Sequence, residues 1–178
     1  MEPAAASERL FFALWPDSAL QGRLAAWTKL AAGNARPMRR ENIHLTLAFL
    51  GTTDAALIAV LGECAHAVRF APFALRLDRV GYWKHKRLIW CGPEDEAQAL
   101  TALVAALRAA LDNAGIRYDS KPFVSHVTLV RKASGLAAAP SWVPLAWDVR
   151  DFALVRSVPS EAGVRYEVMQ RFPALAAF

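Results

Sequence analysis

The chain has 178 residues, a formal net charge of +5 and 55% hydrophobic residues, with ten prolines, nine glycines and two cysteines. That apolar fraction excludes a disordered chain, and the length suits one domain over residues 1–178 that buries roughly two thirds of its unfolded surface. Cys64 and Cys91 stand 27 residues apart with no second pair, which excludes a disulfide scaffold and a zinc cluster. No apolar run approaches the roughly 20 residues of a membrane span. MEPAAASERLFFALW places an acid at position 2 and its apolar residues too late for a secretory leader. A cytoplasmic protein is expected. The excess of 21 Lys and Arg over 16 Asp and Glu is compatible with a polyanionic partner.

In chain order, RLFFALW at 9–15 reads as a buried strand closed by Pro16 and Asp17. SALQGRLAAWTKLAAG has helical spacing and a C-terminal stop at Gly33. A basic connector with Arg36, Arg39 and Arg40 leads into the alternating strand NIHLTLAFLG. A second helix is predicted from Asp54 to about Val68, capped by Thr53 or Asp54. FALRLDRVGYW and RLIWCG flank Lys84, His85 and Lys86 as a hairpin with a basic tip. EDEAQALTALVAALRAALDNAG predicts a third helix with an acidic start, ending at Gly115. PFVSHVTLVRK, AWDVRDFALVRSV and VRYEVMQRFP predict three further strands. Strands follow one another without a regular strand-helix rhythm, so the fold class is α+β with antiparallel pairing.

The text repeats internally. Gly33 is followed after 11 positions by His44, and Gly115 after 11 positions by His126; each histidine opens a strand, HLTL or HVTL, and the copies lie 82 residues apart. Duplicated halves in one domain pack about a pseudo-twofold axis, so two similar lobes are expected with their strands facing a central cleft. A His-x-Thr-Leu pattern arises by chance about once in ten thousand positions on ordinary residue usage, so two copies at one offset are hard to ascribe to accident.

Alternate side chains of a strand share a face, which puts His44 with Thr46 and His126 with Thr128. Two imidazoles and two hydroxyls converging on one cleft suit a phosphodiester. A neutral imidazole accepts a proton from the attacking oxygen, a protonated one supplies a proton to the leaving oxygen, and the hydroxyls donate to non-bridging oxygens. Arg131 falls on the opposite face of an ideal strand, and a bulge or the strand end is needed to turn its fork toward the phosphate.

RLFFALWPD, NIHLTLAFLG, GYWKHKRLIWCG, SHVTLVRK and VRYEVMQRFP together resemble the 2H phosphoesterase superfamily, and within it the bacterial RNA 2′,3′-cyclic phosphodiesterases known as 2′-5′ RNA ligases. The resemblance spans nearly the whole chain; Ser125 departs from it, since many members carry proline before the second histidine. It implies a bilobal fold of two antiparallel sheets with helices outside. It also implies hydrolysis of RNA 2′,3′-cyclic phosphate ends to 2′-phosphates without a metal, with reverse 2′-5′ ligation at the same groups; no cofactor is expected, and a monomer is the default since the sequence shows no obvious oligomerisation surface. Under it His126 is the proton acceptor, His44 the proton donor, and Thr46, Thr128 and Arg131 bind substrate.

Two other readings of the residues stay open: the same chemistry on another small cyclic nucleotide, and an RNA-end-binding module without catalysis. Intact imidazoles in both motifs favour catalysis, since Lys or Arg would serve binding equally well. His85, with Lys84, Lys86 and Arg87, reads as a solvated turn over two core tryptophans, Trp83 and Trp90, with an RNA-gripping edge as the alternative. His66 reads as structural. Arg36, Arg39 and Arg40 are either a solvated connector or a phosphate-guiding lip. Ser125 neighbours His126 on the opposite face and is no nucleophile.

Overall fold

The computed structural model describes residues 6–176, so the MEPAA segment behind the expectation of no leader lies outside it. Strand β1 (Ser7–Leu14) carries the FFAL run through the middle of a long sheet, paired with β3 (Leu45–Asp54) on one side and β9 (Asp151–Ser160) on the other. Asp17 then accepts from the Leu20 amide at 2.7 Å and starts helix α1 (Ser18–Ala32), which ends at Gly33 with φ +52°. Asp54 accepts from the Ala56 amide, and a single 3₁₀ turn leads into α2 (Ile58–Ala67). The third helix, α3 (Gln98–Asn113), starts later than expected. Glu94, Asp95 and Glu96 precede it, because the chain bends at Glu94 and Asp95, where the Glu94 amide is held by Asp78 at 2.7 Å, and Ala97 is still extended.

Two expected strands divide in two. FALRLDRVGYW becomes β4 (Phe73–Leu77) and β5 (Arg79–Trp83), broken at Asp78; AWDVRDFALVRSV becomes β8 (Leu145–Val149) and β9, broken at Arg150. In each case the chain changes sheets at the break. β4 pairs with β8 in a sheet of two strands, while β5 pairs with β6 (Leu88–Gly92) and β9 with β10 (Gly163–Pro173) in a sheet of eight. The connector also forms a two-residue strand, β2 (Arg36–Pro37), against β7 (Val127–Arg131).

Among the described residues the architecture is α+β with two antiparallel sheets and three α-helices, the class expected from the sequence and the sheets implied by the resemblance. The long sheet runs β10-β9-β1-β3-β7-β6-β5, and its two parts meet at a single pairing, Leu45 with Val127, immediately after the two histidines. The main core lies on the helix side of this sheet and includes Phe12, Leu45, Leu47, Leu107, Leu129 and Val130. A smaller apolar cluster of Phe11, Ala13, Ala153 and Val155 lies apart from it, with Trp15, Phe49 and Tyr166 packed against it. Among the described residues no helix is long and apolar enough to cross a membrane.

Candidate active site

His44 follows a 3₁₀ turn (Arg40–Asn42) and His126 follows an irregular loop, yet the two are held alike. Nδ1 of His44 lies 2.7 Å from the Asn42 carbonyl, and Nδ1 of His126 lies 2.8 Å from the Val124 carbonyl. A carbonyl only accepts, so each Nδ1 carries the hydrogen and each Nε2 is left to the cavity. His44, His126, Thr46, Thr128 and Arg131 all line one cavity of about 360 Å³. Nε2 of His44 is 3.0 Å from Thr46 Oγ1.

Arg131 reaches this face through a bulge. In the pairing of β6 with β7, Ile89 opposes Val130 and Trp90 opposes Thr128, so Leu129 has no partner. Leu129 and Val130 are consecutive and both fully buried, and Arg131 therefore returns to the face of Thr128. The first half repeats this. Phe12 opposes Ala48 and Ala13 opposes Thr46, leaving Leu47 unpaired and turning Phe49 toward the cavity beside Thr46. Phe49 thus holds, 82 residues earlier, the place of Arg131. The Arg9 guanidinium sits 4.9 Å over its ring.

The surroundings separate the two histidines. His44 stacks on Trp15 with ring centroids 5.3 Å apart, lies 4.9 Å from Phe11 and meets Tyr166 edge-on at 5.1 Å. Burial among these rings lowers its pKa to about 4, with the charges of His126 and Arg131 acting in the same direction and the bond to the Asn42 carbonyl opposing them. His126 is also depressed by burial, and Lys86 and Arg131 add to the effect. It meets Trp83 at 4.7 Å, and Lys86 lies 4.7 Å over the same ring. Trp83 is therefore no core residue: it faces the cleft, whereas Trp90 is buried beneath it. The basic hairpin tip is correspondingly an edge of the site, with His85 and Lys86 lining an adjoining groove of about 450 Å³.

Asn42 carries no recognisable motif and is buried. Its amide donates to the Val164 carbonyl at 2.8 Å, and its side-chain oxygen accepts from the Tyr166 amide at 3.1 Å, so the residue that orients His44 also ties down β10. Of the three basic connector residues, Arg36 and Arg39 line a groove beside Arg131, while Arg40 turns away to the Ser18 carbonyl and hydroxyl. Ser125 Oγ is buried without a partner, and His66 bonds to Gln170 away from the cleft.

The sequence profile of the 2′-5′ RNA ligase superfamily matches residues 16–160. The chain belongs to the 2′-5′ RNA ligase superfamily. Within it, the RNA 2′,3′-cyclic phosphodiesterase of Escherichia coli (strain K12) is 31% identical over 171 residues, which cover 93% of this chain and 96% of that protein. The protein of the same name from Thermus thermophilus is 31% identical over 177 residues, covering 92% and 89%. The crystal structure of E. coli LigT with 3′-AMP superposes with a TM-score of 0.83 at 30% identity, over 96% of this chain and all of that one.

Proposed function

We propose that the protein hydrolyses 2′,3′-cyclic phosphate ends of RNA to 2′-phosphates, in one domain made of two lobes related by duplication. The observation that carries this reading is the pair of imidazoles, each fixed by an Nδ1–H bond to the carbonyl two residues earlier and each presenting Nε2 to one cavity with two threonines and an arginine. Relatives named RNA 2′,3′-cyclic phosphodiesterase at about 30% identity over most of the chain support the activity. Nε2 of His126 takes a proton from water as its oxygen bonds to phosphorus. Nε2–H of His44 gives a proton to O3′ as the P–O3′ bond breaks, leaving the phosphate on O2′. Thr46, Thr128 and Arg131 donate to the non-bridging oxygens.

His44 is neutral in the free protein, with its hydrogen on Nδ1 and its pKa lowered to about 4 by burial, so the donor role needs the bound phosphodiester anion, whose charge opposes that of Arg131 and favours the protonated form that donates from Nε2. A 5′-hydroxyl in place of water would form a 2′-5′ linkage by the same displacement. The test is product analysis on an oligonucleotide with a 2′,3′-cyclic phosphate, with EDTA present. The expected product is the 2′-phosphate, and His44→Ala and His126→Ala each lose about 10²- to 10⁴-fold in kcat. Normal turnover by either variant refutes the mechanism.

A further inference from the structure

The catalytic cavity adjoins a groove on either side, and the 82-residue offset relates the two. The first groove is bounded by Phe49, Trp83, Phe123 and Val124; the second, of about 580 Å³, by Arg36, Arg39, Asn42, Arg131 and Tyr166. Arg131 replaces Phe49 and Asn42 replaces Val124, while the β5–β6 hairpin walls the first groove and the β9–β10 hairpin the second. The first groove mixes aromatic and apolar side chains, which suit a nucleobase, with Lys86, Arg108, Asp119 and Lys121. The second holds cations without a carboxylate.

Three guanidinium groups line the second groove, and no carboxylate lines it. Arg36 and Arg131 oppose one another directly in the pairing of β2 with β7. Like charges so placed destabilise a ladder. Neither forms an ion pair with a carboxylate among the described residues. Arg39 donates to the Ala162 carbonyl at the hairpin turn, which fixes the far wall. Arg131 and Tyr166 line both this groove and the catalytic cavity, so an anion held here neighbours the reacting phosphate.

We propose that this groove binds the phosphodiester immediately upstream of the reacting end, making the enzyme one for oligonucleotides over cyclic mononucleotides. The inference rests on the proposed cyclic phosphodiesterase reading. A guanidinium fork grips two non-bridging oxygens of such a group, and the anion relieves the Arg36–Arg131 repulsion.

The test compares kcat/KM on an adenylyl dinucleotide ending in a 2′,3′-cyclic phosphate with kcat/KM on adenosine 2′,3′-cyclic phosphate. The wild type should favour the dinucleotide by about tenfold or more, the worth of one charge-assisted contact. Arg36→Gln should cut that ratio several-fold and flatten the salt dependence of the dinucleotide reaction, with Arg36→Lys restoring the salt dependence but only part of the ratio. A wild-type ratio near one, an unchanged ratio in Arg36→Gln, or an equal loss on both substrates overturns the groove. Turnover of neither substrate overturns the cyclic phosphodiesterase reading. Calorimetry with the dinucleotide ending in a 2′-phosphate, against adenosine 2′-monophosphate, then decides the groove separately. Tighter dinucleotide binding that Arg36→Gln abolishes supports it, and equal binding overturns it.

Discussion

His44 shows how burial changes a residue whose type alone is legible. The His-x-Thr motifs give the pair and the shared face with Thr46 and Thr128, but they give the two histidines equal standing. Trp15, Phe11 and Tyr166 break that equality, and they come from separate strands and the end of β1, so no local pattern connects them to position 44. The consequence is measurable. His44 stays neutral in the folded state down to about pH 4, whereas in the unfolded chain it takes a proton near its ordinary value of 6.5. The unfolded state therefore binds more protons between these values, and stability falls as pH falls through that window. From pH 7 to pH 5 this residue should account for about 1–2 kcal/mol of loss. Urea titrations of wild type and His44→Gln at both pH values test it: the variant should show a shallower loss by that amount, and parallel curves would remove the effect.

At the level of strands and turns, the alternation rule places the histidines and threonines and fails at Arg131. Its failure is informative, because an ideal strand needs a bulge there and β7 supplies one at Leu129. The bulge leaves no mark in the text HVTLVR beyond two consecutive aliphatics, which also suit an ordinary buried strand. The matching bulge at Leu47 was hidden for the same reason. Directly after β7, Lys132 adopts φ +57° without being glycine, and its neighbour across the ladder end, Arg87, adopts φ +50°. Arg87 is committed to the Lys132 and Ala133 carbonyls, but the Lys132 side chain is exposed. Lys132→Gly should raise stability by about 1 kcal/mol by relieving the left-handed backbone. Thermal unfolding of the variant checks this, and a lower midpoint counts against it.

Across the whole molecule, rhythm made the α+β class legible and the repeated His-x-Thr-Leu text marked the two motifs, whereas the sheet assignments were not legible. β4 and β8 pair across about 70 residues of sequence, and nothing in FALRL or LAWDV states which partner each takes. The clamp at Asn42 was equally invisible, since its partners Val164 and Tyr166 lie more than 120 residues away. Asn42→Ala removes both bonds and takes their partner from the Val164 carbonyl and the Tyr166 amide, so it should cost about 1–3 kcal/mol of stability and lower kcat more than it raises KM. Equilibrium unfolding with steady-state kinetics on the variant measures both. The clamp also sets a timetable. The first motif is complete once Thr46 has been synthesised, but its histidine acquires its edge-on aromatic wall and its orienting carbonyl's anchor only when Tyr166 has left the ribosome. The surroundings of His44 are thus complete only when nearly the last strand of the chain can fold.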